Sequence, residues 1–354
     1  MINKTDFIII GAGVIGLSIS LKLLKKKFSV LLIEKNPSYG LEASSHNSGV
    51  IHSGAYYKTN SHKHQLCIKG KDLMYEYLRK KNIPYLKTGK LFISLSNDEE
   101  SLFKIHDQAK KNGLNDLSMI NQNQIKNIDS KILSKVALLC PSSGILDQKS
   151  LLNSLYEDCN TFSKFQTYFG SSVNEIDVDN TIKVSLDNQL AESSFLINSA
   201  GRNSIDFLKK KLNYKTDIEA FPVIGGYLDL KKSIKLNTIV YTSLNPGNIS
   251  ERVDVTPTLN DNMIFGPSID YNEINSKELL KKFKPSIRKY LDIDNNKLKF
   301  SYYGVRPKAK LDGQVISDFL FFKSHKNIIN LINFESPALT STFSISNYFY
   351  EKYL

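Results

Sequence analysis

Gly11, Gly13 and Gly16 stand in Gly-Ala-Gly-Val-Ile-Gly directly after the apolar run Phe7-Ile8-Ile9-Ile10, and Glu34 follows Gly16 by 18 residues. That spacing suits a dinucleotide. Gly11 permits a tight turn, Gly13 lets the backbone approach a pyrophosphate, and Gly16 lets the next helix pack closely on the strand. Val14 and Ile15 open that helix, so its amides and positive dipole end face the phosphates. Glu34 and Lys35 close the second apolar run, where a carboxylate accepts hydrogen bonds from ribose hydroxyls and disfavours a 2′-phosphate. FAD and NAD use the same cradle, so the motif alone leaves the choice open. A glycine-rich turn in some other α/β domain is the competing account, and it does not explain the spaced acid.

The elements that must hold these residues are a β-α-β unit over residues 6 to 34 and a long loop, 36 to 63, rich in Gly, Ser, His and Tyr. Long loops in compact domains are usually functional. Helical spacing resumes from about Ser61 to Lys80. Further on, Phe195-Leu196-Ile197-Asn198 reads as a buried strand ending in the small-residue turn Ser199-Ala200-Gly201. Strand-like, antiparallel character dominates from about Ile218 to Gly266. At 354 residues the chain exceeds the usual single-core size, so two domains are expected, one assembled from separated segments.

Composition narrows the classes. An apolar fraction of 41% suits a soluble protein, and no apolar run approaches the ~20 residues of a membrane span. The N-terminus reads as a strand rather than a secretory signal, so cytoplasm is the expected location. Cys67, Cys140 and Cys159 lack CxxC or metal-ligand spacing, and packing roles are expected for them, with no disulfide and no metal. The net charge of +12 comes from lysines scattered in short groups at helix ends, without the aromatic interleaving of a nucleic-acid groove. No nucleic-acid partner is expected; attraction of acidic substrates or peripheral contact with the inner face of a membrane stays open.

The run Ser44-Ser45-His46-Asn47-Ser48-Gly49-Val50-Ile51-His52-Ser53-Gly54-Ala55-Tyr56-Tyr57-Lys58 resembles the flavin loop of L-2-hydroxyglutarate dehydrogenases, within the D-amino-acid-oxidase-like flavoprotein superfamily. The resemblance continues through Cys67-Ile68-Lys69-Gly70, Gly89-Lys90-Leu91, residues 141 to 147, residues 198 to 201, Tyr303-Gly304-Val305-Arg306-Pro307-Lys308 and Glu335 to Thr340. It implies an α/β (overall α+β) fold: a Rossmann-like FAD-binding domain with a parallel sheet, interleaved with a substrate domain on a mostly antiparallel sheet. The expected division gives residues 1–84, 141–214 and 301–354 to the FAD domain, and 85–140 and 215–300 to the substrate domain. FAD, bound non-covalently, becomes the expected cofactor.

The resemblance also assigns expected roles. Ser44, Ser45, Asn47 and Ser48 would serve the pyrophosphate and flavin, Val173 the adenine, and Ala200 and Gly201 the nucleotide. The last helix is expected to begin near Pro337-Ala338, which would bring Ser336, Ala338 and the amides of Leu339 and Thr340 to the flavin's pyrimidine edge. Oxidising a 2-hydroxy acid needs a base for the hydroxyl proton and a cation for the carboxylate. His52 is the candidate base, the alternative being that it only hydrogen-bonds the flavin or the loop. Arg306 is the candidate carboxylate anchor, because a guanidinium makes two parallel bonds and keeps its charge. Tyr57, Lys58 and Lys308 would add donors for a second carboxylate.

One departure bears on substrate. The family commonly carries Val-His-X-Thr where this chain has Val253-Asp254-Val255-Thr256, so a carboxylate replaces an imidazole. The leading expectation is an FAD-dependent oxidoreductase turning an L-2-hydroxy acid, first L-2-hydroxyglutarate, into its 2-oxo acid. Asp254 favours the alternative, an amino-acid or amine oxidoreductase. A third reading is a non-catalytic flavin-binding interaction protein. The electron acceptor is open among a quinone, an electron-transfer protein and oxygen.

Overall fold

A computed structural model describes residues 2–95, 99–187, 189–230, 235–242 and 253–354. The expected unit opens the chain: β1 (Ile2–Ile10), α1 (Val14–Lys25) and β2 (Val30–Glu34). β2 is buried along its whole length, which its unbroken apolar sequence requires of a strand covered on both faces. β1 lies between β2 and the strand Gln189–Asn198, parallel to both, with Phe7 opposite Val30 on one side and Phe195 on the other. Phe165–Phe169 extends the sheet beyond β2, again in parallel. Ile328–Ile332 joins the far end of Gln189–Asn198, also in parallel. This is the sheet on which the glycine turn sits.

After β2 come β3 (Val50–Ile51), α2 (His62–Lys80), β4 (Tyr85–Leu86) and β5 (Lys90–Ile93). β5 belongs to a second, eight-stranded sheet, mostly antiparallel, with Lys299–Arg306 at one edge and Ser118–Asn121 at the other. In it Ile239–Thr242 runs parallel to β5, so Tyr241 stands opposite Phe92. Each sheet has its own buried core: Phe7, Leu17 and Leu32 belong to one, Leu91, Val255 and Phe265 to another. The expectation of a parallel and a mostly antiparallel sheet is met, and the strand Lys299–Arg306 sits in the second of them.

The C-terminal helix departs from expectation. It runs Thr342–Tyr353, not from Pro337, because residues 337 to 341 make one turn, closed by the Ser341 amide on the Pro337 carbonyl at 3.0 Å. The regular ladder resumes only with Ile345 bonded to Ser341. This last helix lies against α1, with Lys22 Nζ donating to Asn347 Oδ1 at 2.7 Å. All three cysteines are free and buried.

Candidate active site

The glycine turn is held by backbone crossings that leave no room for a side chain. Gly11 has φ +100°, and a Cβ on it would lie 2.6 Å from the Ser199 carbonyl oxygen. A Cβ on Gly16 would meet the Gly11 carbonyl oxygen at 2.0 Å, and one on Gly13 would meet Ser44 Oγ at 3.0 Å. Gly13 is the N-cap of α1 and has no side chain to close over the helix's first amides. Ser44 Oγ accepts from the Val14 amide at 3.0 Å, which ties the long loop to the helix start. Glu34 is buried and accepts from the Ala12 amide at 2.8 Å and from the amide and side chain of Asn36 at 2.9 and 2.8 Å. A carboxylate offers about four lone-pair positions, so one is left for a ribose hydroxyl.

A cavity of about 570 Å³ runs from this turn into the second sheet. At one end it is lined by Gly11, Gly13, Val14, Ile15, Glu34 and Lys35, with Val173, Ala200 and Gly201 beside them. Ser44, Asn47 and Ser48 follow, and Ser336, Ala338 and Leu339 lie beyond. At the other end it reaches His52, Tyr227, Tyr241, Asp254 and Arg306. A long cleft with a glycine-bare helix start at one end and mixed polar groups at the other fits FAD. Gly16 lies just behind this lining, in backbone contact with Gly11. Ser45 turns its hydroxyl to His46 Nδ1 at 2.9 Å. Thr340 is fully buried and acts through its hydroxyl, which accepts from the His52 amide at 3.0 Å. The turn at 337 to 341 therefore replaces the helix start that was expected to offer the Leu339 and Thr340 amides.

His52 follows β3, held between sheet and turn. Its Nε2 is 3.1 Å from Ser336 Oγ, and its Nδ1 is 3.5 Å from the Nζ of Lys90. Lys90 is 1% exposed, a burial that sequence reasoning did not single out. Its position 38 residues from His52 gives no local signal; only the pairing of β5 beside Tyr241 brings them together.

Arg306 ends the edge strand opposite Val223. A Cβ on Gly225 would lie 3.7 Å from the Arg306 guanidinium, so a bare backbone gives it space. Tyr227 nearby has its hydroxyl pushed up to about 12 by burial, with Asp254 adding to the shift and Arg306 opposing it. Asp254 is buried and accepts from the Thr242 amide at 3.3 Å.

Three expected donors lie outside the cavity lining. The Tyr57 hydroxyl is buried without a hydrogen-bond partner, and burial raises its proton affinity well above the usual phenol range. Lys58 is exposed. Lys308 donates to Glu335 Oε1 at 2.6 Å, sharing that oxygen with Lys63 at 2.8 Å. Burial pushes the Glu335 carboxyl up, but two ammonium groups outweigh it and hold it below the usual range. At Lys63 burial wins over the carboxylates of Glu335 and Asp318, and its proton affinity is lowered. At the cavity mouth Arg202 forks onto Glu42 at 3.0 and 3.2 Å while Lys35 reaches it at 2.8 Å, a cluster the sequence did not announce.

Residues 6–351 match the family described as FAD dependent oxidoreductase, DAO. An L-2-hydroxyglutarate dehydrogenase, mitochondrial, of Caenorhabditis briggsae is 30% identical, covering 97% of this chain and 92% of the relative. The protein of that name from Arabidopsis thaliana is 28% identical over 99% of this chain and 84% of its own length. Among solved structures, the dithionite-reduced L-alpha-glycerophosphate oxidase of Mycoplasma pneumoniae with FAD bound superposes with a TM-score of 0.85. It is 23% identical and covers 98% of this chain and 94% of its own.

Proposed function

The chain belongs to the DAO family of FAD-dependent oxidoreductases, and on that premise we propose that it oxidises an L-2-hydroxy acid, first among them L-2-hydroxyglutarate to 2-oxoglutarate. The observation that carries the reading is one cavity lined by both His52 and Arg306, an imidazole and a guanidinium. The kinship with L-2-hydroxyglutarate dehydrogenases supports the substrate.

FAD, when bound, supplies the hydride acceptor at its N5 atom. Glycines 11, 13 and 16, with Val14, Ile15, Glu34 and Lys35, hold its nucleotide, and Ser44, Ser45, Asn47, Ser48, Val173, Ala200, Gly201, Ser336, Ala338, Leu339 and Thr340 complete the surroundings. Arg306 anchors the carboxylate, which fixes the face of the substrate's Cα. His52 takes the hydroxyl proton. The FAD domain would be built on the first sheet and the substrate domain on the second, with the division given above changed at one point: residues 301–306, expected in the FAD domain, belong to the strand Lys299–Arg306 of the second sheet, which carries Arg306. The electron acceptor proposed is a quinone, an electron-transfer protein or oxygen.

Among the described residues no helix is long and apolar enough to cross a membrane. Cytoplasm, with peripheral contact at a membrane's inner face, is the location proposed.

Asp254 favours a second reading. A buried carboxylate lining the cavity would hold a substrate ammonium group, making the reaction an amino-acid or amine oxidation. Anaerobic bleaching of the flavin band at about 450 nm separates the two. Bleaching by L-2-hydroxyglutarate and not its D-isomer supports the first reading; bleaching by amino acids alone moves the assignment to the second.

A further inference from the structure

Lys90 is among the largest fully buried side chains of the protein. Its Nζ lies 3.9 Å from the centre of the Tyr241 ring and 5.6 Å from that of Phe92. It also lies 3.5 Å from His52 Nδ1, while the opposite ring nitrogen, Nε2, is 3.1 Å from Ser336 Oγ at the cavity. A lysine is rarely buried so completely without a specific partner.

These heavy-atom positions accept two proton arrangements. With Lys90 as an ammonium, it donates to Nδ1, and the neutral imidazole carries its proton on Nε2, facing Ser336. With Lys90 as an amine, Nδ1 donates to the Lys90 lone pair, and Nε2 presents its own lone pair at the cavity side. Only the second arrangement leaves Nε2 able to take a proton.

We propose that Lys90 and His52 form one proton-holding pair, in which Lys90 is a positioning residue that selects the imidazole tautomer and receives the Nδ1 proton as Nε2 accepts one from the substrate. The substrate's O–H bond breaks, its electron pair stays on oxygen, and an Nε2–H bond forms. The Nδ1–H bond breaks and an Nζ–H bond forms, so Lys90 ends as an ammonium over the Tyr241 ring face, which favours a cation. The positive charge comes to rest behind the imidazole instead of beside the substrate. For that transfer the Nζ to Nδ1 separation of 3.5 Å has to shorten, a movement the lysine's unbranched stem allows.

The other titratable groups around the pair come from several elements. Cys67 on α2 has its thiol pushed up to about 12 by burial, with Lys90 opposing, and Tyr57 is held higher than an ordinary phenol. Both stay neutral near pH 7 to 9, the range of about ordinary imidazole and amine competition. Tyr56, Tyr241 and Asp254 line the cavity on the remaining sides.

The test is a titration of the FAD-loaded protein with nitrogen-labelled histidine, following the imidazole nitrogens from about pH 6 to pH 10. His52→Gln assigns the His52 signals among the six histidines. The expected result is a change from the Nε2–H to the Nδ1–H tautomer as pH rises, absent in Lys90→Met and, because arginine keeps its charge, absent in Lys90→Arg. In steady-state turnover both variants are expected to lose about 10- to 100-fold in kcat, with KM little changed. A His52 tautomer that stays constant in the wild-type protein overturns the proposal, as does wild-type kcat in Lys90→Arg. If Lys90→Met does not fold, Lys90→Arg and the wild-type titration still decide. The proposal rests on the hydroxy-acid reading for the source of the proton; failure of that reading appears separately, as a flavin that L-2-hydroxyglutarate does not bleach while the titration remains readable.

Discussion

The backbone amide of His52 donates to the Thr340 hydroxyl at 3.0 Å, and that hydroxyl donates onward to the Val50 carbonyl at 3.3 Å. A fully buried side chain from the last turn thus fixes the loop that carries the candidate base. Thr340→Val removes the acceptor and leaves a buried amide unpaired, at a cost of about 1–3 kcal/mol. The expected outcome is a lower melting temperature together with a loss of kcat that exceeds the change in KM, both restored by Thr340→Ser.

Arg306→Ala is expected to raise KM for L-2-hydroxyglutarate by about 10- to 100-fold, the loss of roughly 1.5–3 kcal/mol of charge-assisted bonding. Arg306→Lys keeps the charge but not the fork, so recovery should be partial. Steady-state kinetics on a carboxylate and its amide check this: the wild-type preference for the carboxylate should shrink in both variants.

Gly16→Ala places a Cβ 2.0 Å from the Gly11 carbonyl oxygen, closer than any side-chain rotation can relieve, because the Cβ is fixed by its own backbone and the oxygen belongs to another stretch of it. The turn has to open. Purified Gly16→Ala should carry less flavin per chain than wild type, read from the ratio of flavin to protein absorbance. Full flavin content with unchanged melting would contradict the cradle described here.

Glu335 stands below the usual carboxylate range, despite opposing burial, because Lys63 and Lys308 hold its charged form. Its contribution to stability is therefore complete above the unfolded carboxyl value of ~4.3 and is lost as pH falls through the lower folded value. Glu335→Gln takes the shared carboxylate from both ammonium groups, leaving Lys63 only its weaker attraction to Asp318, and is expected to cost about 3–5 kcal/mol near pH 7. Denaturant unfolding at several pH values should show that gap narrowing below about pH 4.

How far these relationships could be read in the chain depends on their range. The glycine turn, α1 and Glu34 lie within one β-α-β unit, where spacing alone reports geometry, and they fall where the spacing puts them. His52 and Arg306 were reached through resemblance, and the cavity brings both to one end. Lys90 stood in a segment of the resemblance, Gly89-Lys90-Leu91, but was given no role there, because its burial follows from the pairing of β5 with Ile239–Thr242, which no local pattern reports. The start of the last helix was misplaced for a local reason: Pro337 satisfies the rule for a first helical position, but the turn it opens closes on Ser341 and does not propagate. Lys308 showed its charge in the sequence and not its partner, since Glu335 is 27 residues away.

The cavity draws its walls from Ile10 and from Leu339, 329 residues further along the sequence. During synthesis the glycine turn emerges long before the segment that closes the far side and the helix that braces α1. A nascent chain therefore carries a half-made cleft until that segment has been translated, and cofactor capture has to wait for it. Release of a prematurely stopped chain would yield a protein that displays the dinucleotide motif and retains no flavin.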